Sequence, residues 1–126
     1  MTVSPNVQAL QAFSLSRQIG ANNVANLNTP EFKASGMTLE TGPRGLGVRP
    51  GSIDQDTRPG PLEPAMKGVQ DKQGRLETVW GVHEGSNTDL VREMGSSIQD
   101  ERAFQANVAA IRTWDKMVGH LLDLRV

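Results

Sequence analysis

Few residues in this chain could do chemistry, and their spacing argues against most of it. Asp54 and Asp56, in "SIDQDT", begin like a calcium loop, but the glycine and distal glutamate such a loop requires do not follow. "GPRGLG", residues 42–47, has the glycines of a phosphate loop without the Gly-Lys-Ser/Thr ending or a flanking strand and helix. His83 and His120 lie far apart, with no carboxylate at metal-ligand spacing. His120 follows Lys116 by one turn and reads as a solvated or interface residue. No nucleophile has a base partner, and no carboxylate pair has a pocket implied around it. There are no cysteines, which excludes thiolate metal sites, cysteine nucleophiles and disulfides. The expectation is a chain that is not an enzyme, with no catalytic, cofactor-binding or metal residues and no small-molecule substrate.

The side chain that is concentrated is the amide. "GANNVANLNTPEFKAS", residues 20–35, places four asparagines, Asn22, Asn23, Asn26 and Asn28, within seven positions before Thr29-Pro30. Asparagine competes with the backbone for hydrogen bonds and is a mediocre helix former. Asn28 suits the turn. Asn23 and Asn26 sit inside the last helical turns, where amides facing other helices can fix register as a buried asparagine does in coiled coils.

These residues must be positioned by two helices. The first covers about residues 4–28: Ser4 can serve as N-cap, and Pro5 suits the first helical position. At about 100° per residue, Val7, Leu10, Phe13, Ala21 and Val24 collect on one side, with Ala12, Leu15 and Ile19 roughly opposite. A helix with two apolar stripes must bury both, and one partner helix can cover only one. The second begins after Asn87, read as N-cap, with Asp89 in its first turn. Leu90, Met94, Ile98, Phe104, Val108, Ile111, Val118 and Leu122 form a stripe of the coiled-coil kind, interrupted by Glu101 and Asp115. Trp114, Met117, Leu121 and Leu124 form a second stripe. Residues 88–125 as a helix would span about 57 Å, roughly twice the breadth of a compact domain of this length.

Residues 36–86 hold ten glycines and five prolines, which break helices and leave little room for a central strand. Asp71 and Gly74 suit a turn, with Gly68–Gln70 before it and "RLETVWGV" after it, so a short β-hairpin is expected there. The remainder reads as ordered loop or extended arm.

With 126 residues, 37% hydrophobic and only 4% aromatic, the chain is one lean domain. Its net charge of −1 and lack of a basic stripe argue against nucleic acid as a partner. No apolar run reaches the roughly 18 residues of a membrane span, and the N-terminus lacks the features of a cleaved secretory signal.

The two helices resemble those of the bacterial flagellar basal-body rod and hook proteins. The first family motif is Ala-x-Asn-Ile-Ala-Asn-x-x-Thr-Pro-Gly-aromatic-Lys. Ala21, Asn23, Val24, Ala25, Asn26, Thr29, Pro30, Phe32 and Lys33 occupy its places, and Leu27 lies within it. The departure is Glu31 at the family glycine, from which a different turn is expected. The C-terminal motif is met by Ser86, Asn87, Asp89, Leu90, Val91, Glu93 and Met94, and then by Arg102, Phe104, Asn107, Thr113, Asp115, Met117, Leu121 and Leu122. The short length is similar to a proximal-rod subunit.

The resemblance implies a mainly α fold. Its long terminal helices, residues 1–30 and 87–126, would pack as an elongated antiparallel pair or coiled coil forming an inner-tube domain. Residues 31–86 would be an insertion carrying a short hairpin. It implies a structural subunit of the basal-body rod in the periplasm, exported by the flagellar type III pathway without a cleaved signal. Partners would be copies of itself, other rod subunits, neighbouring basal-body components and the export apparatus. The interface would use Leu10, Phe13, Leu15, Ile19, Asn23, Val24, Asn26, Leu27, Thr29, Pro30, Phe32 and the C-terminal stripe residues. The rival readings are a soluble helical adaptor or export chaperone for another axial protein, and a small wall-degrading enzyme.

Overall fold

The structure, a computed structural model, describes residues 4–124. Its elements are α1 (Ser4–Ala25), β1 (Ser35–Thr41), β2 (Val48–Gln55), β3 (Leu62–Gln70), β4 (Leu76–Glu84) and α2 (Leu90–Asp123). The outermost parts of the expected helical segments, residues 1–3 and 125–126, lie outside the described residues.

The expected mainly α coiled coil is not what forms. Two helices are joined by four antiparallel strands arranged as two separate two-stranded sheets. One hairpin turns at Asp71–Gly74, where the Asp71 carboxylate accepts from the amides of Gln73 and Arg75 and Gly74 takes φ 80°. Its strands, β3 and β4, run nine residues each, from Leu62 opposite Glu84 to Gln70 opposite Leu76. The other hairpin, β1–β2, occupies sequence expected to be loop. Prolines and glycines exclude a central strand, but a two-stranded sheet has none. Pro50 and Gly51 fall where the β1–β2 register shifts between Met37 and Leu39, and there the Ser52 amide donates to the Thr38 hydroxyl.

The first hairpin runs the length of α1, which also packs on α2. Ser35 meets Asn23 near the C-terminal end of α1, and Gly47 meets Pro5 near its start. Gly47 has φ 74°, and a Cβ there would lie 3.0 Å from the Pro5 Cβ, so only glycine suits the contact. Ala9 and Ala12 are buried on α1, small enough to let neighbouring backbones approach. Asn23, near one end of α1, reaches Glu93, near the start of α2, so the helices run antiparallel.

The α2 stripe does not form one seam. Its half-buried side comprises Glu93, Ser97 and Asp100, then Phe104, Val108, Ile111, Trp114 and Val118, while Leu90, Met94 and Ile98 are exposed. The reason is the six-residue step from Ile98 to Phe104, which at about 100° per residue rotates the stripe by about 120°. The half-buried side of α2 is therefore polar in its first third and apolar beyond. The N-cap is Asp89, whose carboxylate accepts from the amides of Val91 and Arg92, and not Asn87.

The turn after α1 keeps the form that glycine would allow. The Phe32 amide donates to the Thr29 carbonyl, Pro30 holds the second position, and Glu31 at the third has φ 60°. That is the pattern of a type II turn, which favours glycine at the third position. The expected change of turn does not occur; Glu31 adopts the strained conformation, and its amide donates to the Glu84 carbonyl at 2.9 Å. Left-handed backbone costs a non-glycine residue roughly 1–2 kcal/mol, partly offset by the greater unfolded-state freedom of glycine. Glu31→Gly should therefore raise stability by up to about 1 kcal/mol in urea unfolding. A destabilised variant would show that the turn does not strain Glu31.

Candidate functional site

The polar side chains that organise the molecule meet where α1 ends, α2 begins and both hairpins start and finish. Asn23 is fully buried at 0% exposure. Its oxygen accepts from the Ser35 amide at 2.9 Å, and its nitrogen donates to the Ser35 carbonyl at 2.7 Å and to the Glu93 carboxylate at 3.0 Å. The side chain pairs with Ser35 as a neighbouring strand would and joins it to α2. Gly20 leaves the space for Glu93, because a Cβ there would lie 3.1 Å from its carboxylate.

Asn87 takes the amide of the residue preceding Ser35. Its oxygen accepts from the Ala34 amide at 2.7 Å, and its nitrogen donates to the carbonyls of Asp56 and Arg58 at 2.8 and 2.9 Å. Its own amide donates to the Phe32 carbonyl at 3.2 Å. Lys33 donates to the Arg58 carbonyl and pairs with Glu84, whose carboxylate also accepts from the Gly60 amide. The hydroxyls of Ser86 and Thr88 bond to each other in the buried connection leading to α2. Residues from both ends of the chain thus converge on the single stretch 31–35.

Two carboxylates here are held charged. The side-chain hydrogen bond from Arg58, helped by the Arg58 amide, lowers the Asp56 pKa to about 2. Glu84 is lowered chiefly by its hydrogen bond from Lys33 and next by that from the Gly60 amide.

The expected interface residues divide into several environments. Asn23 faces α2, as the sequence reading expected. Asn26 does not: its amide nitrogen donates to the Asn22 carbonyl and its oxygen accepts from Thr29, so it caps the last turn of α1. Asn107 likewise bonds back to the Ala103 carbonyl within its own helix. Leu10, Phe13, Leu15, Ile19, Leu27 and Phe32 are half-buried, while Val24, Thr29 and Pro30 are exposed. On α2, Phe104, Val108, Ile111, Trp114 and Val118 are half-buried, whereas Leu90, Met94, Ile98, Met117, Leu121 and Leu122 are exposed. Lys33, Ser86 and Glu93 belong to the quoted motifs, which by themselves assign them no role. Glu84, Asp56 and Arg58 had no signal in the sequence, since each acquires its role from a fold of the middle segment that composition does not reveal.

A groove of about 790 Å³ opens beside this junction, lined by Ile19, Val24, Met37 and Met94 together with Arg92 and Asp100. Among the described residues no group of three or more His, Cys, Asp or Glu side chains could hold a metal ion, and no helix is long and apolar enough to cross a membrane. The arrangement is one that joins elements and presents apolar surface.

Residues 81–124 match the family described as flagellar basal body rod FlgEFG protein C-terminal. The match takes in the end of β4, the Ser86–Asp89 connection and all of α2. It supports the flagellar basal-body rod family for this chain, through its C-terminal segment, and with it a rod-type structural protein of the flagellar basal body. Comparison with curated proteins finds no match.

Two outcomes test the junction. Asn23→Ala leaves the Ser35 amide and carbonyl without their partner, and should cost about 2–3 kcal/mol in urea unfolding. A loss within measurement error would remove Asn23 as an organising residue. The pH dependence follows from Asp56 and Glu84, whose folded pKa values lie below their unfolded ones. Their contribution is present above the ordinary carboxylate range and is lost as pH falls through it toward about 2, where Asp56 titrates. Stability should fall across that window, and less steeply in Glu84→Gln; an unchanged slope in the variant would contradict the role given to Glu84.

Proposed function

We propose that this chain is a non-enzymatic subunit of the flagellar rod that polymerises through its terminal helices into the torque-transmitting axial shaft. The observation that carries this reading is the apolar surface left open on paired helices. Val7 and Val24 on α1, and Leu90, Met94, Ile98, Met117, Leu121 and Leu122 on α2, are all exposed. A monomer gains nothing from such stripes, whereas repeated copies bury them. A contact between unlike surfaces that does not close on itself generates a filament.

In this reading residues 1–30 with 87–126, which contain α1 and α2, form the inner part of the assembly, and residues 31–86 lie outside it. The antiparallel register set by Asn23 and Glu93 supports a further role for the last turns of α2. The 22 residues of α1 span about 33 Å and the 34 of α2 about 51 Å, so the C-terminal turns of α2 extend past the start of α1. Those turns carry Met117, Leu121 and Leu122, for contact with neighbouring rod subunits and copies of this chain. Export through the flagellar type III channel requires threading an unfolded chain, and a small apolar core suits that requirement. Ala9, Ala12 and Ala34 are the buried hydrophobic residues among those described.

Leu121→Asp with Leu122→Asp should keep the helix content of the isolated chain, since both side chains are exposed, and should abolish incorporation into the basal body and motility. Normal swimming by cells carrying only this variant would refute the helix-stripe assembly.

A further inference from the structure

The second hairpin poses a separate problem. β3 and β4 pair with each other, but among the described residues they have no substantial packing with another element. A two-stranded hairpin is at best marginal in water unless further strands or a helix cover its apolar face. The pairing puts Leu62, Pro64, Met66, Leu76, Trp80 and Val82 on one face, with Met66 opposite Trp80 and Pro64 opposite Val82. Met66 is 63% and Trp80 71% exposed. The other face carries Glu63, Lys67, Glu77 and His83 among Ala65, Val69 and Val79, and is the more charged of the two.

The chain's own surface shows how much cover is required. Its accessible area is 9549 Å². A compact monomer of its mass, 13.6 kDa, exposes about 6,600 Å², so the excess is roughly 3,000 Å². A stable interface takes about 800 Å² from each partner, so the excess equals several interfaces per chain. The chain also carries a second exposed apolar surface, the Leu90–Met94–Ile98 stripe of α2. Charge favours the pairing. Between residues 66 and 76 the hairpin tip has Lys67, Lys72 and Arg75 against Asp71, a net +2. Residues 92–102 of α2 have Glu93, Asp100 and Glu101 against Arg92 and Arg102, a net −1.

We infer that the apolar face of β3–β4 docks on the Leu90–Met94–Ile98 stripe of a second copy of this chain, with the basic hairpin tip against Glu101. The inference rests on the polymer reading above and adds a contact outside the α1–α2 pair. It supplies the hairpin with the helix it lacks, in a strand-on-helix layer. The two surfaces differ, so each copy offers one and accepts the other, as an extending assembly requires.

The absence of cysteine makes the contact directly testable in the full chain. Thr78→Cys lies on the apolar face of the hairpin, and Val91→Cys lies beside the stripe. Mixed and oxidised, the two variants should form the 78–91 disulfide in preference to 78–78 or 91–91. Lys72→Glu with Arg75→Glu should weaken self-association about tenfold in sedimentation, and mixing with Glu101→Lys chains should restore it. If the wild-type chain associates but the charge variants do not alter it and no 78–91 bond forms, the inference is overturned while polymerisation stands. If the wild-type chain remains monomeric at every concentration, self-assembly fails and the inference with it.

Discussion

The molecule is organised by two asparagine side chains that bond the backbone of two consecutive residues. Asn87 takes the Ala34 amide, and Asn23 takes both the amide and the carbonyl of Ser35. Successive strand residues point to opposite sides, so one asparagine comes from the α2 side of the chain and the other from α1. Each then reaches a second segment, Asn23 to Glu93 of α2 and Asn87 to Asp56 and Arg58 just past β2. An amide can do this because it donates and accepts at once and carries no charge whose burial must be compensated. Lys33, Glu84, Asp56 and Arg58 surround this pair with charged groups at the partly solvated margin.

The junction explains the spacing of the two helix motifs. Asn23 and Asn87 lie 64 positions apart in sequence, yet both act on residues 34 and 35. The Thr29-Pro30 turn aims the chain from the end of α1 into that position, and Glu31 accepts a left-handed backbone to keep it. Ordering through side-chain amides lets a chain with little buried hydrophobic volume hold four elements together. The remaining apolar side chains stay at the surface, where neighbouring subunits would meet them.

Both helices and the Asp71–Gly74 turn were legible in the sequence, because helical periodicity and turn residues are local signals. An amide at Asn23 reaching α2 follows the sequence expectation, but its two bonds to Ser35 do not, and Asn26 with the same chemistry only caps the helix end. Three features were not legible. The β1–β2 hairpin is exposed over most of both strands, so it lacks the apolar–polar alternation that marks a half-buried strand. The stripe on α2 reads as continuous by threes and fours, but the six-residue step at Ile98–Phe104 rotates one half away from the other. Asn87 looked like an N-cap because Asp89, two residues later, offers the same chemistry, and only the position of Ala34 decides between them.

The most direct measurement is the content of purified flagellar basal bodies, with the soluble cytoplasmic fraction analysed beside them. A rod subunit is expected in the basal bodies, retained with the rod after the outer rings are removed. Recovery of the chain only in the cytoplasm, bound to another axial protein, would contradict the structural reading and point instead to an adaptor or export chaperone.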